Sequence, residues 1–256
     1  MTLCYDLGEE LCSFDYFGWL VQALAAGANE VTLDARALAA SKAQRLESIL
    51  VPGAALAGLP SRLGSDGAKL PVGSSRMGRL VQFARQYRAF VRLAAPYGYG
   101  PAHVARYTVT LRRQATSPYR NSNDAAWREF AREIGAVIIE DYEVEPLHLH
   151  ARMALYAGAE MNFGVWCGPL TLCTLTRYPV MAFACGRGKQ ELQMAKWGVL
   201  RGDNMPWCLP NQRVLWDDDE LETIWQNFRE WKDGDNQVND QGSARFDQQG
   251  EAGTAL

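Results

Sequence analysis

The stretch from Met153 to Phe183, MALYAGAEMNFGVWCGPLTLCTLTRYPVMAF, is the most apolar and most patterned part of the chain, and it limits the fold more than any other. Glu160 to Val165, EMNFGV, has the composition of a short strand, and Val165-Trp166-Cys167-Gly168-Pro169 is a tight turn. Pro169 suits the first position of a helix, where its missing N–H has no partner to lose. Leu170, Leu172, Cys173 and Leu175 mark that helix. Tyr178-Pro179 stops it, because a residue before proline is driven away from helical geometry. Val180 to Ala184 resumes as a buried strand. A strand that empties through a glycine turn into a helix leaves unpaired backbone N–H groups, which suit a phosphate or another anion. In an open α/β sheet that edge is also where ligands bind. The architectural alternative is that Gly168-Pro169 only connects two core elements.

The N-terminal part alternates in the same way. Leu3 to Leu7 reads as a strand and Gly8 to Cys12 as a loop, with Ser13 as the N-cap of a helix over Phe14 to Ala26. Phe17, Leu20, Val21 and Leu24 carry the helical spacing, and Gly27 closes it as a C-terminal glycine. Glu30 to Asp34 is a second strand. A β-α-β opening predicts a parallel sheet with a right-handed crossover. Asp6 and Asp15 flank the C-terminal end of the first strand, with Glu10 between them. They form a candidate catalytic base site, unless Asp15 merely complements the dipole of its helix.

Arg36 to Glu47 is expected to be a helix and Ser48 to Val51 a short strand. Gly53 to Ser75 carries little pattern and reads as a loop or partly mobile segment, a candidate cover for a cleft. Arg76 to Leu93 is expected to be a helix with a basic face of Arg76, Arg79, Arg85, Arg88 and Arg92, whose default is solvent. Ala95 to Pro101, APYGYGP, reads as the hinge between two α/β units, residues 1–100 and 101–231.

The second unit opens on Arg106 to Arg112, an alternating β-branched strand. The loop RQATSPYRNSN follows, and Ser122 or Asn123 caps a helix from Asp124 that carries Trp127, Phe130 and Ile134. Val137 to Ile139 is the next strand, ending in Glu140-Asp141. Arg112, Arg113, Arg120 and Asn121 therefore collect between a strand end and a helix start. Arginine forks bind phosphate bidentately, so this is a candidate anion site. Pro146 to Ala157 reads as a helix, and His148 and His150, two apart on it, point to different faces and suit joint metal ligation poorly. Gly186-Arg187-Gly188-Lys189 is a basic turn without the spacing of a nucleotide-binding GxxxxGK[ST] loop, and a helix follows to Trp197. Arg213 to Trp216 is a short strand. Asp217-Asp218-Asp219 head a helix to about Trp231, as first-turn acids or as a metal site. From Lys232 the chain turns polar, and residues 232–256 are expected to be a disordered tail.

Composition narrows the function. A chain of 256 residues that is 48 % hydrophobic and 21 % charged can bury its own core. A net charge of -3, with arginines scattered among acids, gives no electrostatic case for a nucleic-acid partner. The six cysteines form no C-x2-C pair and do not combine with the three histidines into a zinc pattern, so no metal is expected. With no secretory signal and no run near the roughly 18 apolar residues of a span, the expected setting is cytoplasmic, with reduced thiols and no transmembrane segment.

Three features carry a resemblance: the strand YTVTLR with its arginine-rich loop RQATSPYRNSN, the helix and strand of MALYAGAEMNFGV, and the turn and helix of CGPLTLCTLTRYPVMAF. Together they make Arg106 to Trp231 resemble the nucleotide-sugar-binding half of GT-B-type glycosyltransferases, and also uncharacterised bacterial proteins associated with sugar and envelope biosynthesis. The resemblance implies two Rossmann-like parallel-sheet units facing across a cleft. It implies a nucleotide-sugar donor as substrate, no tightly bound cofactor, and a glycan or lipid-linked acceptor. Arg112, Arg113 and Arg120, with Asn121 beside them, would meet the donor diphosphate. Gly168, Pro169 and Leu170 would cradle phosphate or ribose, and Asn162 to Trp166, Gly164 included, would line the base or sugar pocket. Asp15, then Asp6 and Glu10, are the candidate bases. A non-catalytic sugar- or partner-binding protein, or a sugar-nucleotide epimerase or hydrolase, would use the same fold. The chain departs from the pattern in two places. Thr171 and Thr174 stand where an acid for the donor ribose is expected, and the first half is short for an acceptor domain.

Overall fold

A computed structural model describes residues 1–10, 12–74, 76–86, 92–93, 105–141 and 147–234. β1 (Thr2–Asp6), α1 (Tyr16–Ala25) and β2 (Glu30–Asp34) form the expected β-α-β opening. β1 and β2 are parallel, in register from Thr2 opposite Glu30 to Asp6 opposite Asp34. α1 buries Tyr16, Phe17, Trp19, Leu20 and Val21. The rings of Tyr5, Tyr16 and Trp19 pack with centroids 4.6–5.9 Å apart, and Gly27 ends the helix with φ 80°. Ser13 is not the cap. The helix starts three residues later, and the Ser13 hydroxyl instead donates to the Asp15 carboxylate at 2.6 Å.

The segment read as a helix over Arg36 to Glu47 and a strand over Ser48 to Val51 is one distorted helical run. It consists of a 3-10 turn (Ala40–Lys42), α2 (Ala43–Arg45), a π turn (Leu46–Leu50) and α3 (Val51–Leu56). Pro52 has no N–H to return to the carbonyl of Ser48. The ladder slips there, and the Val51 N–H bonds to Leu46. Ile49, Leu50, Gly53 and Ala54 are all buried, which is the spacing of a helix face rather than a strand. β3 (Ser61–Leu63) lies inside the stretch that carried no pattern, and it pairs parallel with β2. None of its three residues is fully buried, so no apolar alternation marks it. The first sheet therefore runs β1-β2-β3. α4 (Met77–Gln86) follows, and Arg92 and Leu93 are not helical. Arg88, the hinge at 95–101, Pro146 and residues 235–256 lie outside the described residues.

β4 (Tyr107–Arg112), α5 (Asp124–Ile134), β5 (Val137–Asp141), α6 (Leu149–Gly158), β6 (Met161–Val165), α7 (Gly168–Leu175), β7 (Val180–Phe183), α8 (Gln190–Lys196) and β8 (Gln212–Val214) build the second sheet. Residues 221–234 form a last helix, α9. All strands are parallel, in the order β5-β4-β6-β7-β8. Strand order reverses between β4 and β6, so the sheet has a topological switch point there, the place where open α/β sheets bind ligands. Asn123 caps α5 as expected, accepting from the Ala126 N–H.

The period of two along the strands sorts the side chains. Val109, Leu111, Phe163, Val165, Met181 and Phe183 face one way, onto Trp127 and Phe130 of α5 and onto Ile224 and Phe228 of α9. The other face carries Thr108 and Thr110, bonded to Asn162 at 2.6 Å and to the Tyr156 hydroxyl of α6 at 2.8 Å. At Gly164 (φ 150°) a Cβ would stand 2.4 Å from the Thr110 carbonyl oxygen, so glycine alone lets β6 lie against β4 there. One apolar cluster continues from Leu3, Tyr5 and Leu33 through Phe17 and Leu20 to Leu170, Leu172 and Leu175 of α7, so the two sheets share a core. Among the described residues no helix is long and apolar enough to cross a membrane.

Candidate functional site

A cavity of about 910 Å³ opens at the C-terminal ends of β4 and β6, with walls from both halves of the chain. Among the described residues six arginines line it, Arg45, Arg76, Arg79, Arg112, Arg113 and Arg120, against one carboxylate, Asp15. A chain of net charge -3 thus turns a strongly positive concave surface inward. Phe14, Ile49, Met77, Trp166, Met194 and Trp197 supply apolar wall between the charges. Apolar lining with a few convergent polar groups is the composition of a small-molecule site.

The arginines differ in how they are held. Arg112, at the end of β4, is 6 % exposed. It donates to the Asn121 side-chain oxygen at 2.9 Å, to the Ser117 carbonyl at 3.2 Å and to Gln114. Asn121 does not line the cavity. It braces the loop, also accepting from the Gln114 N–H at 2.8 Å and donating back to its carbonyl. Arg113 ion-pairs with Asp124 at 2.6 Å and lies 3.7 Å from Glu140. Arg120 has a buried Nε with no hydrogen-bond partner. The residue itself lines the cavity.

The loop is anchored from below by Asp219. This carboxylate is 1 % exposed and accepts from the Trp127 indole N–H and the Asn123 backbone N–H, each at 2.7 Å. It also pairs with Arg187, whose guanidinium donates to the Asn121 carbonyl at 2.9 Å. The acid run read as a helix head or metal site therefore pins the arginine loop to the sheet. Among the described residues no group of three or more His, Cys, Asp or Glu side chains is placed to hold a metal ion.

Of the three candidate bases, only Asp15 faces the cavity. Burial pushes its carboxyl above the usual range, and the Ser13 hydrogen bond and the fields of Arg120 and Arg76 pull part of the way back. A desolvated carboxylate in a cleft, held above the usual carboxylate range, is a candidate proton acceptor. Asp6 instead pairs with Lys69 at 2.5 Å and accepts from the Gly8 N–H, which holds it below the usual range. Glu10 accepts from the Gly73 and Ser74 N–H groups at 2.7 and 3.1 Å and fixes that loop.

The turn read first from the sequence is the cavity floor. Trp166, Gly168 and Pro169 line it, with Gly168 and Pro169 as the first two residues of α7. Pro169 takes the second helical position because Gly168 is already helical. A Cβ at Gly168 would stand 2.8 Å from Cβ of Phe14, so the first half rests directly on this turn and delivers Asp15 beside it. Leu170 lies in the core, Gly164 lies beneath the floor, and Asn162 is buried with its amide given to the Tyr156 and Pro179 carbonyls. Thr171 lines the cavity while its hydroxyl donates to Cys167, and Thr174 is enclosed against Trp207.

Sequence reasoning missed Arg45; Arg76 and Arg79, read as solvated, are exposed and also border the cavity. A Cβ at Gly78 would meet the Trp197 indole at less than contact distance, so α4 packs there on the end of α8 while Arg76 and Arg79 stay exposed at the cavity. Comparison with known proteins gives no matching family, no matching characterised protein and no matching solved structure. Fold and cavity define the class: an α/β protein of two parallel sheets with an arginine-lined cavity at a switch point.

Proposed function

We propose that this chain is a glycosyltransferase of GT-B-like arrangement, which moves a sugar from a nucleotide-sugar donor to a cell-envelope or polysaccharide acceptor. One observation carries the reading: arginines and a raised carboxylate converge at the switch point, in a cavity walled by both sheets. The donor diphosphate would lie against Arg112, Arg120 and the start of α7, and Trp166 would offer an aromatic wall to the base. The acceptor hydroxyl would give its proton to Asp15 as its oxygen bonds to the sugar C1. The bond from C1 to the phosphate oxygen breaks, and the nucleoside diphosphate leaves with the electron pair. Fixed cations beside that oxygen stabilise the charge as it develops. All six cysteines are free thiols, in accord with a cytoplasmic setting.

The test is sugar release or transfer from UDP-, GDP-, ADP- and CMP-sugars by the intact protein and by Asp15→Asn. A general base contributes about 10²–10⁴-fold. Asp15→Asn should therefore lower turnover by at least about a hundredfold and leave donor affinity nearly unchanged. Full turnover in Asp15→Asn would remove Asp15 from the chemistry.

A further inference from the structure

The cavity arginines are divided between its walls. Arg112, Arg113 and Arg120 come from the end of β4 and the loop after it, and Arg45, Arg76 and Arg79 from the opposite half. Asp15 lies between them and feels both Arg120 and Arg76. A donor diphosphate accounts for the first group. It leaves the second, of which Arg76 and Arg79 are exposed, with only the single carboxylate of Asp15 nearby if the acceptor is an uncharged sugar hydroxyl. Among the described residues, none of Arg45, Arg76 and Arg79 forms an ion pair with an acid of the chain. The cavity, at about 910 Å³, is toward the upper end of the about 300–1,000 Å³ of small-molecule sites.

We propose that the acceptor carries its own phosphate group, seated by Arg45, Arg76 and Arg79 across Asp15 from the donor. The inference rests on the donor reading above. A charged acceptor fits the two-walled charge pattern, because arginine forks match phosphate oxygens in pairs. It also places the reacting hydroxyl by two handles, the anion seat on one side and Asp15 on the other.

The experiment is calorimetric titration of the full chain with nucleoside diphosphate, and then of the nucleotide-saturated protein with inorganic phosphate. The expected result is a second, phosphate-binding event. It should weaken at least about tenfold in Arg45→Gln/Arg76→Gln/Arg79→Gln, while Arg120→Gln chiefly weakens the nucleotide. Circular dichroism shows that the triple variant is folded, and single variants replace it if it is not. Phosphate that only competes with nucleotide, or binds the triple variant equally well, is an adventitious ion only and overturns the inference. Failure of every nucleotide to bind would instead overturn the donor reading, and the inference with it. A hexose phosphate that displaces phosphate names a soluble acceptor. Co-sedimentation with phosphatidate-containing vesicles, lost in the triple variant, names a lipid-borne one.

Discussion

Asp219 is the residue on which the arginine loop depends, although it touches no ligand. Replacing it with alanine removes the acceptor of the Trp127 indole, of the Asn123 N–H and of Arg187 together. Trp127 is fully buried, and a buried donor left without a partner costs about 1–3 kcal/mol. Arg187 keeps Asp218 and the Asn121 carbonyl, so its loss is partial. Removing one partner of a buried pair costs about 3–5 kcal/mol, a large share of the roughly 5–15 kcal/mol that holds a typical domain together. Asp219→Ala should fall in that range, and Asp219→Asn, which keeps one accepting oxygen, should lose about half as much. Urea unfolding followed by tryptophan fluorescence measures both. The same variants should bind anions less well, because Arg112 and Arg120 lose their brace. A loss below about 1 kcal/mol in Asp219→Ala, with an unchanged denaturant slope, would refute the anchoring argument.

Two further perturbations probe other parts of the account. The raised carboxyl of Asp15 means the folded chain holds that proton more tightly than the unfolded chain, whose aspartates titrate near about 3.9. The stability it contributes is complete below that value and is lost as pH rises through the folded pKa. Asp15→Asn should therefore be more stable than the parent at pH 7, with the advantage shrinking toward pH 4. A difference that stays constant across pH would contradict the burial of the charge. Gly164→Ala sets a Cβ against the Thr110 carbonyl. Overpacking costs about 1–3 kcal/mol, and here it would part β4 from β6 under the cavity, lowering ligand affinity together with the melting temperature. An unchanged melting temperature would show that the strands yield without strain.

The parts of the fold that could be read in the sequence are those whose signal is local. Glu30–Asp34 and Tyr107–Arg112 are dense in β-branched and apolar residues and, Glu30 apart, are buried, so their composition marks them. Ser61–Leu63 is short and largely exposed, and only pairing with β2 makes it a strand. Ser48 to Val51 has strand composition, but the helix that continues through Pro52 overrides it. The site divides along the same line. Arg112 and Arg120 were legible because a strand end and a helix start bracket them. Arg76 and Arg79 are exposed as their helix face implied, but their place beside the cavity was not legible, because tertiary packing of α4 against Trp197 sets it. Asp219 could not be read at all, because its partner Trp127 is 92 residues away.

Nucleotide binding is the measurement to make first. Melting of the intact chain is followed with UDP, GDP, ADP and CMP, alongside Arg112→Ala and Arg120→Ala. A ligand of the folded state adds about 2.7 kcal/mol of stability at a hundredfold excess over its dissociation constant. One nucleotide should raise the melting temperature, and each arginine variant should weaken it by about 1.5–3 kcal/mol, the worth of a hydrogen bond to a charged group. No shift with any nucleotide at millimolar concentration, or a shift that survives both variants, would contradict a phosphate site at the switch point.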